Sequence, residues 1–154
     1  MQVAFIGHRK IEKTEQIKRV VAKVVTQLIK DGADTFLFGS KSAFDDLCLD
    51  VVTELKLKHP HVRRIYVRAA YKYIDEPYTD YLLSLYDETF FPDNVSGAGY
   101  RSYVKRNQAM IDACDVLVAY FDKDYRLSAG RTSGTKLAVE YAQKKKKQII
   151  NLCE

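Results

Sequence analysis

The sequence predicts a single α/β domain in which helices cover both faces of a mostly parallel sheet of about five strands. The length of 154 residues corresponds to about one domain, since domains most often contain roughly 100–150 residues. Short runs of β-branched and aromatic residues alternate along the chain with segments of helical periodicity. Most of these runs are apolar without polar alternation, which is typical of parallel strands covered on both faces. Together these observations predict a doubly wound fold.

Five apolar runs predict the strands, and the four segments of helical periodicity between them predict the helices. The strands are Val3–Ile6, Thr35–Phe38, Arg64–Val67, Val116–Phe121 and Gln148–Leu152. The helices are Thr14–Lys30, the segment between Ser42 and His59, Tyr100–Ala113 and Gly134–Lys146. Asp31-Gly32 provides a stop after the first helix. The Ser42 hydroxyl can cap the second helix, with Asp45 at its third position.

An aromatic-rich insert, residues 71–100, lies between the third and fourth predicted strands. Residues Tyr71–Tyr103 contain seven of the 11 tyrosines of the chain, and a short helix is predicted near Tyr81–Tyr86. A connection of this length is usually functional or has structure of its own. It could form a small satellite core, a dimer face rich in tyrosine, or a lid whose rings stack on a nucleobase.

The charge of the chain is only weak evidence for nucleic-acid binding. Four of the 25 basic residues form the single run Lys144–Lys147, and the charges of the other 21 are nearly balanced by 20 acidic residues. The body of the domain is therefore almost neutral, and a lysine run at a helix C-terminus complements the helix dipole. No apolar run approaches the ~20 residues that cross a bilayer. We expect neither a membrane nor a nucleic acid as partner.

The three cysteines indicate a reducing compartment. Cys48, Cys114 and Cys153 are odd in number and show no C-x-x-C spacing, which argues against a disulfide framework or a zinc site. The N-terminal apolar run is too short for a signal peptide and runs into His8-Arg9-Lys10. We therefore expect a cytoplasmic protein that requires no metal or cofactor.

Glycines, hydroxyls and basic side chains follow the predicted strands, where the ligands of open parallel sheets bind. Helix starts with small residues can hold phosphate or carboxylate through backbone N–H groups, and arginine adds a bidentate contact. The candidate ligand-binding residues at these strand ends are Gly7, His8, Arg9, Gly39, Ser40, Arg68, Ser133, Gly134 and Thr135. The last three end the stretch that begins with Gly130-Arg131-Thr132. Neither a G-x-G-x-x-G nor a P-loop motif is present, which disfavours ordinary dinucleotide and P-loop sites.

Several candidates also have a purely structural explanation. Gly7 and Gly39 can simply shape turns, and His8 can be a hydrogen-bonding residue rather than a titrating catalyst. Asn107 lies on an otherwise apolar helix face beside Arg106, and its partner can be backbone or ligand. Glu140 stands four residues after Lys136 and four before Lys144, the spacing of an exposed ion-pair ladder, but it could also be a general base.

Taken together, these residues resemble the YpsA-like branch of the SLOG superfamily, which groups DprA-type and LOG-type domains. The resemblance spans nearly the whole chain and is carried by Phe5-Ile6-Gly7-His8-Arg9, Phe38-Gly39-Ser40 with Phe44-Asp45, Arg106-Asn107 with Met110-Ile111 and Asp115, and Ser133-Gly134-Thr135-Lys136 with Tyr141-Ala142. It implies a Rossmann-like domain whose glycine-bearing loops bind nucleotides or nucleotide-derived molecules.

The resemblance also implies two further activities. LOG-type relatives release a base from nucleoside monophosphates with an arginine, matched here by Arg106, and a glutamate just after a glycine-threonine turn. Here Lys136 and Leu137 follow Thr135, and the first acid is Glu140, so the second match is displaced. DprA-type relatives bind single-stranded DNA, which the near-neutral charge disfavours.

The leading hypothesis is a cytosolic sensor or regulator that binds a phosphorylated, nucleotide-type ligand through the strand-end residues, Arg106 and Asn107. The enzymatic alternative is an N-glycosidic hydrolase in which Arg106 and Glu140 are catalytic. The remaining alternatives are a protein-interaction module, consistent with an expected homo-oligomer, and a single-stranded DNA binder.

Overall fold

The computed structural model describes residues 1–125 and 133–153. Its described residues form six strands and five α-helices. The strands are β1 (Gln2–Gly7), β2 (Thr35–Phe38), β3 (Arg63–Val67), β4 (Glu88–Phe90), β5 (Val116–Tyr120) and β6 (Gln148–Asn151). The helices are α1 (Thr14–Lys30), α2 (Ala43–Lys56), α3 (Glu76–Leu85), α4 (Ser102–Ala113) and α5 (Gly134–Lys144). Two single 3₁₀ turns, Asp93–Val95 and Gly99–Arg101, lead into α4.

All six strands belong to one sheet in the order β4-β3-β2-β1-β5-β6, and each of its strand pairs is parallel. The sequence-based count of about five strands was wrong by one. The additional strand, β4, comes from the predicted insert and extends the sheet edge, where Tyr66 of β3 is in register with Thr89. Three residues are too few for an alternation pattern to be visible in the sequence.

The helices form two layers, one on each face of the sheet. Val21 and Val25 of α1 and Val52 of α2 belong to one buried cluster, which also contains Phe5 and Phe36 of the central strands. The other cluster combines α4 and α5 with the opposite side chains of β1, β3 and β5. This arrangement is the predicted Rossmann-like α/β fold, and strands buried on both faces explain the unbroken apolar runs.

Residues 71–100, the predicted insert, contribute both to the core and to the surface. Leu82 and Tyr86 at the end of α3 are buried in the cluster with α1 and α2. In contrast, the side chains of Tyr73 and Tyr100 are 85% and 94% exposed. These two residues therefore belong to the main core and not to a separate satellite core, while the use of the segment as a lid or a dimer face stays a prediction.

No helix in the described ranges combines the length and the apolar character needed to span a membrane.

Candidate ligand-binding site

A cavity of about 1140 Å³ opens at the carboxyl ends of the central strands. Its walls come from the segments that follow β1, β2 and β3, from the first turns of α3, α4 and α5, and from Tyr125 after β5. Pockets that take small molecules and cofactors typically measure roughly 300–1,000 Å³, so this cavity is large enough for a nucleotide.

The cavity lies at the point where the chain changes sides of the sheet. Strands β1 and β5 are neighbours, with Gly7 in register with Tyr120. The helix that follows β1 packs on one face, whereas the helix that follows β5 packs on the other. A crevice forms between two such strands because their connections diverge, and open α/β sheets bind their ligands there.

The structure brings every residue predicted to bind ligand to this one cavity. These lining residues are Gly7, His8, Arg9, Gly39, Ser40, Arg68, Arg106, Asn107, Ser133, Gly134 and Thr135. Gly130, Arg131 and Thr132, which complete the predicted loop before α5, lie outside the described residues.

Glu140, the second predicted catalytic residue, is not among the lining residues. Its side chain is 55% exposed on the outer face of α5, with Oε1 3.9 Å from Nζ of Lys136. This ion pair is one of the two that the spacing allowed. Asp75 is the only acidic side chain among the described lining residues, and its Oδ1 accepts the backbone N–H of Tyr78 at 2.9 Å as the cap of α3.

The cavity is strongly biased towards positive charge. Four cationic side chains line it, those of Arg9, Lys41, Arg68 and Arg106, against the single carboxylate of Asp75. The Arg9 side chain is exposed, and Nε of Arg68 is buried without a hydrogen-bond partner among the described residues. This excess of cationic side chains favours an anionic ligand.

Helices α2 and α5 begin at the cavity with N-termini that are capped by serine hydroxyls. The Ser42 hydroxyl accepts the N–H of Asp45 at 3.0 Å at the start of α2, as predicted. At the start of α5, the Ser133 hydroxyl accepts the N–H of Lys136 at 3.3 Å. Each helix start adds a partial positive charge to the cavity and so supports an anion there.

Arg106 and Asn107 are neighbours on α4, and Arg106 is the buried one. Its side chain is only 3% exposed; it donates to the carbonyl oxygen of Gly39 and, from Nε, to Oδ1 of Asn107 at 2.9 Å. Burial lowers the pKa of Arg106, while the nearby Asp45 carboxyl acts in the opposite direction. Arg106 thus connects α4 to the loop after β2 and presents its charge at the cavity wall.

His8 forms a structural link between β1 and the segment after β5. Its Nε2 accepts the backbone N–H of Asp122 at 2.8 Å, so the neutral ring carries its proton on Nδ1. The imidazole stacks on the ring of Tyr125, with centroids 3.9 Å apart. Burial lowers the pKa of His8, which favours the neutral form that this hydrogen bond requires.

Comparison with known families identifies the domain. The family model YpsA, described as the YspA SLOG family, matches residues 5–153. The chain belongs to this SLOG family. The match includes every described residue that lines the cavity, and it confirms the resemblance seen in the sequence. No curated protein matches the chain significantly.

Two glycines of this SLOG domain are required by close packing beneath the cavity. A Cβ atom at Gly7 would lie 2.3 Å from Cδ2 of Phe44, and one at Gly39 would lie 2.6 Å from Cδ of Arg106. Gly134 is different, because no atom of a more distant described residue lies within 4 Å of its virtual Cβ. Gly7 and Gly39 therefore shape the site through the residues behind them.

Tyrosines form the aromatic part of the SLOG cavity, and most of the described ones belong to the tyrosine-rich region noted in the sequence. The lining tyrosines are Tyr66, Tyr71, Tyr73, Tyr78, Tyr103 and Tyr125. Four of them come from the region Tyr71–Tyr103, whereas Tyr66 belongs to β3 and Tyr125 follows β5. The position of Tyr125 just beyond a strand end is the signal that could have found it.

Proposed function

We propose that this SLOG domain binds a nucleotide or nucleotide-derived phosphorylated molecule in the cavity and acts as a sensor or regulator. The observation that carries the proposal is the convergence of four cations, two helix N-termini and six tyrosines on one cavity. Cations and helix starts suit phosphate groups. Tyrosine rings suit a nucleobase, since base–aromatic stacking contributes about 1–3 kcal/mol.

The geometry favours binding over N-glycosidic cleavage. A glycosidic bond is usually cleaved by a pair of carboxyl groups on either side of it. The described lining residues supply only Asp75, whose Oδ1 caps α3, and residues 126–132 contain no carboxylate. Arg106 therefore serves here to hold and orient the ligand.

A thermal-shift panel of AMP, ADP, ATP, NAD, ADP-ribose and cyclic nucleotides tests the proposal. A ligand at 100 times its Kd adds about 2.7 kcal/mol of stability. At roughly 2–4 °C per kcal/mol, the melting temperature should rise by roughly 5–11 °C. A panel in which no ligand shifts the melting temperature would refute nucleotide binding.

The variant Arg9→Ala, with Lys10→Ala as its matched control, tests whether the ligand binds in this cavity. The two residues are neighbours with exposed side chains, but only Arg9 lines the cavity. Loss of a charge-assisted hydrogen bond, about 1.5–3 kcal/mol, should weaken the ligand identified by the panel roughly 10- to 100-fold. Lys10→Ala should bind like the wild type in isothermal titration calorimetry. Equal affinities for all three proteins would exclude Arg9 from the site.

A further inference from the structure

A buried carboxyl group, that of Asp45, lies directly behind the loop that connects β2 to α2. The residue is 2% exposed, and its Oδ2 accepts the backbone N–H of Gly39 at 3.3 Å. Its Oδ1 is buried and has no hydrogen-bond partner among the described residues. Because buried polar atoms normally have partners, an oxygen in this state indicates that the carboxyl group has a role besides accepting the Gly39 N–H.

Asp45 and Arg106 hold the same residue from two sides. The Asp45 carboxyl accepts the N–H of Gly39, and the Arg106 guanidinium donates to the carbonyl oxygen of Gly39. Gly39, Ser40 and Arg106 all line the cavity, whereas Asp45 is not among the lining residues. A change in the charge of Asp45 therefore changes the electrostatic potential at the cavity wall, although Asp45 itself does not contact a ligand.

The surroundings of Asp45 bring its two protonation states close in free energy near neutral pH. Burial raises the pKa of Asp45 to about 7, although the Gly39 hydrogen bond, the charge of Arg106 and the hydroxyl and N–H of Ser40 act in the opposite direction. The other titratable groups that interact with it are Cys48 on its own helix, Tyr66 on β3 and Tyr86 after α3. Burial raises the pKa of each of these three groups, so they are neutral at pH 7, and among the described residues it is the charge of Arg106 that acts on the carboxyl.

We propose that Asp45 is a positioning residue that takes up a proton when an anion binds against the loop from Gly39 to Ser42. This inference rests on the proposed function, because it assumes an anionic group in the cavity. An anion near Gly39 and Ser40 repels the negative charge behind them. A proton from solvent then bonds to the Asp45 carboxyl, whose Oδ1 is free to accept it, and no bond of the ligand breaks. With Asp45 neutral, the positive charge of Arg106 is no longer compensated by the protein and acts on the anion.

The test follows the carboxyl carbon of Asp45 by NMR from about pH 5 to about pH 9, in sodium sulfate and in sodium chloride of equal ionic strength. Sulfate resembles a phosphate group but carries no titrating proton in this range, so any change in the midpoint belongs to the protein. In chloride, we expect a midpoint near 7 for the wild type. Sulfate should raise it by roughly half a pH unit or more, as a nearby like charge does. The amide signal of Gly39 should follow the same two midpoints.

Asp45→Asn and Asp46→Asn are the matched variants. Asp46 is the next residue of α2, but its side chain is exposed. The Gly39 amide should lose its pH-dependent step in Asp45→Asn and keep it in Asp46→Asn. If Asp45→Asn does not fold, the carboxyl signal of the wild type still decides the question.

The outcomes separate this inference from the function on which it rests. If sulfate shifts the Gly39 and Ser40 amides but leaves the Asp45 midpoint unchanged, the coupling is refuted and the anion site stands. The coupling is likewise refuted, without consequence for the anion site, if Asp45 titrates well below pH 5 in both salts. If sulfate changes no signal of the loop relative to chloride, both the coupling and the anion site are refuted.

Discussion

Gly7→Ala gives the sharpest test of the packing beneath the cavity. The added Cβ would lie 2.3 Å from Cδ2, 2.4 Å from Cγ and 2.6 Å from Cβ of Phe44, whereas carbon atoms in contact are about 3.5–4.0 Å apart. Rotation of the Phe44 ring can move Cδ2 but not Cβ. Relief of the clash therefore requires the first turn of α2 to move away from β1 by about 1 Å.

The cost of this movement follows from the position of Phe44. Its side chain is completely buried, and its ring packs against that of Tyr120 at a centroid distance of 5.9 Å. Overpacking of such a core typically costs about 1–3 kcal/mol. For a chain of this length, that corresponds to a fall in melting temperature of roughly 2–12 °C.

Urea denaturation and differential scanning calorimetry measure the effect, with Gly134→Ala as the matched control. The virtual Cβ of Gly134 has no neighbour within 4 Å, so this variant should be unchanged or slightly more stable. A Gly7→Ala protein as stable as the wild type would refute the packing argument. Equal destabilisation of both variants would show that backbone freedom, and not the clash with Phe44, is what the glycines provide.

Three further predictions concern the groups behind the cavity wall. Gly39→Ala places a Cβ 2.6 Å from Cδ of Arg106 and should both destabilise the fold by about 1–3 kcal/mol and weaken the ligand found by thermal shift; unchanged affinity in calorimetry would contradict it. The pKa of Asp45 is raised from 3.8 to about 7 by folding, so between these values only the folded chain holds the proton of this carboxyl group. As the pH rises from about 4 to about 8, the wild type should therefore lose up to about 4 kcal/mol of unfolding free energy relative to Asp45→Asn. Parallel stability curves in urea would contradict that. The pKa of His8 is lowered in the folded state. As the pH falls below 6.5, the unfolded chain is therefore protonated at His8 before the folded chain is, and the stability contributed by neutral His8 should decline. His8→Gln should show a smaller loss in that range, and an equal loss would contradict the role of its hydrogen bond to Asp122.

The fold could be predicted from the sequence because the pattern that specifies it is local. The bounds of α1 and β2 agree with the predicted Thr14–Lys30 and Thr35–Phe38, since each segment contains its own periodicity and its own stop. Strand β4 was missed because Glu88–Phe90 has three residues and depends on hydrogen bonding to β3 for its structure. A short strand at an edge has no independent signal in the chain.

The location of the cavity was equally predictable, since parallel strands place their carboxyl ends at one edge. The roles of individual residues were not, because they depend on partners that are distant in the sequence. Asn107 was placed on the buried face of α4, yet Arg106 is the residue that is buried, and its acceptor is the carbonyl of Gly39, 67 positions away. In contrast, the ion pair of Glu140 could be predicted, because its partner Lys136 is one helical turn away and their spacing is visible in the sequence.

The glycines that line the cavity do not all have the same task, and the difference decides how variants should be interpreted. Gly7 and Gly39 are small because Phe44 and Arg106 occupy the space behind them. Substitution of either glycine changes the core first and the cavity only as a consequence. Gly134 is exposed at the cavity and has no described neighbour within 4 Å of its virtual Cβ, so a side chain there projects into the space available to a ligand. A loss of affinity in Gly134→Ala without loss of stability would therefore place the ligand against the start of α5, an inference that no substitution of Gly7 or Gly39 can support.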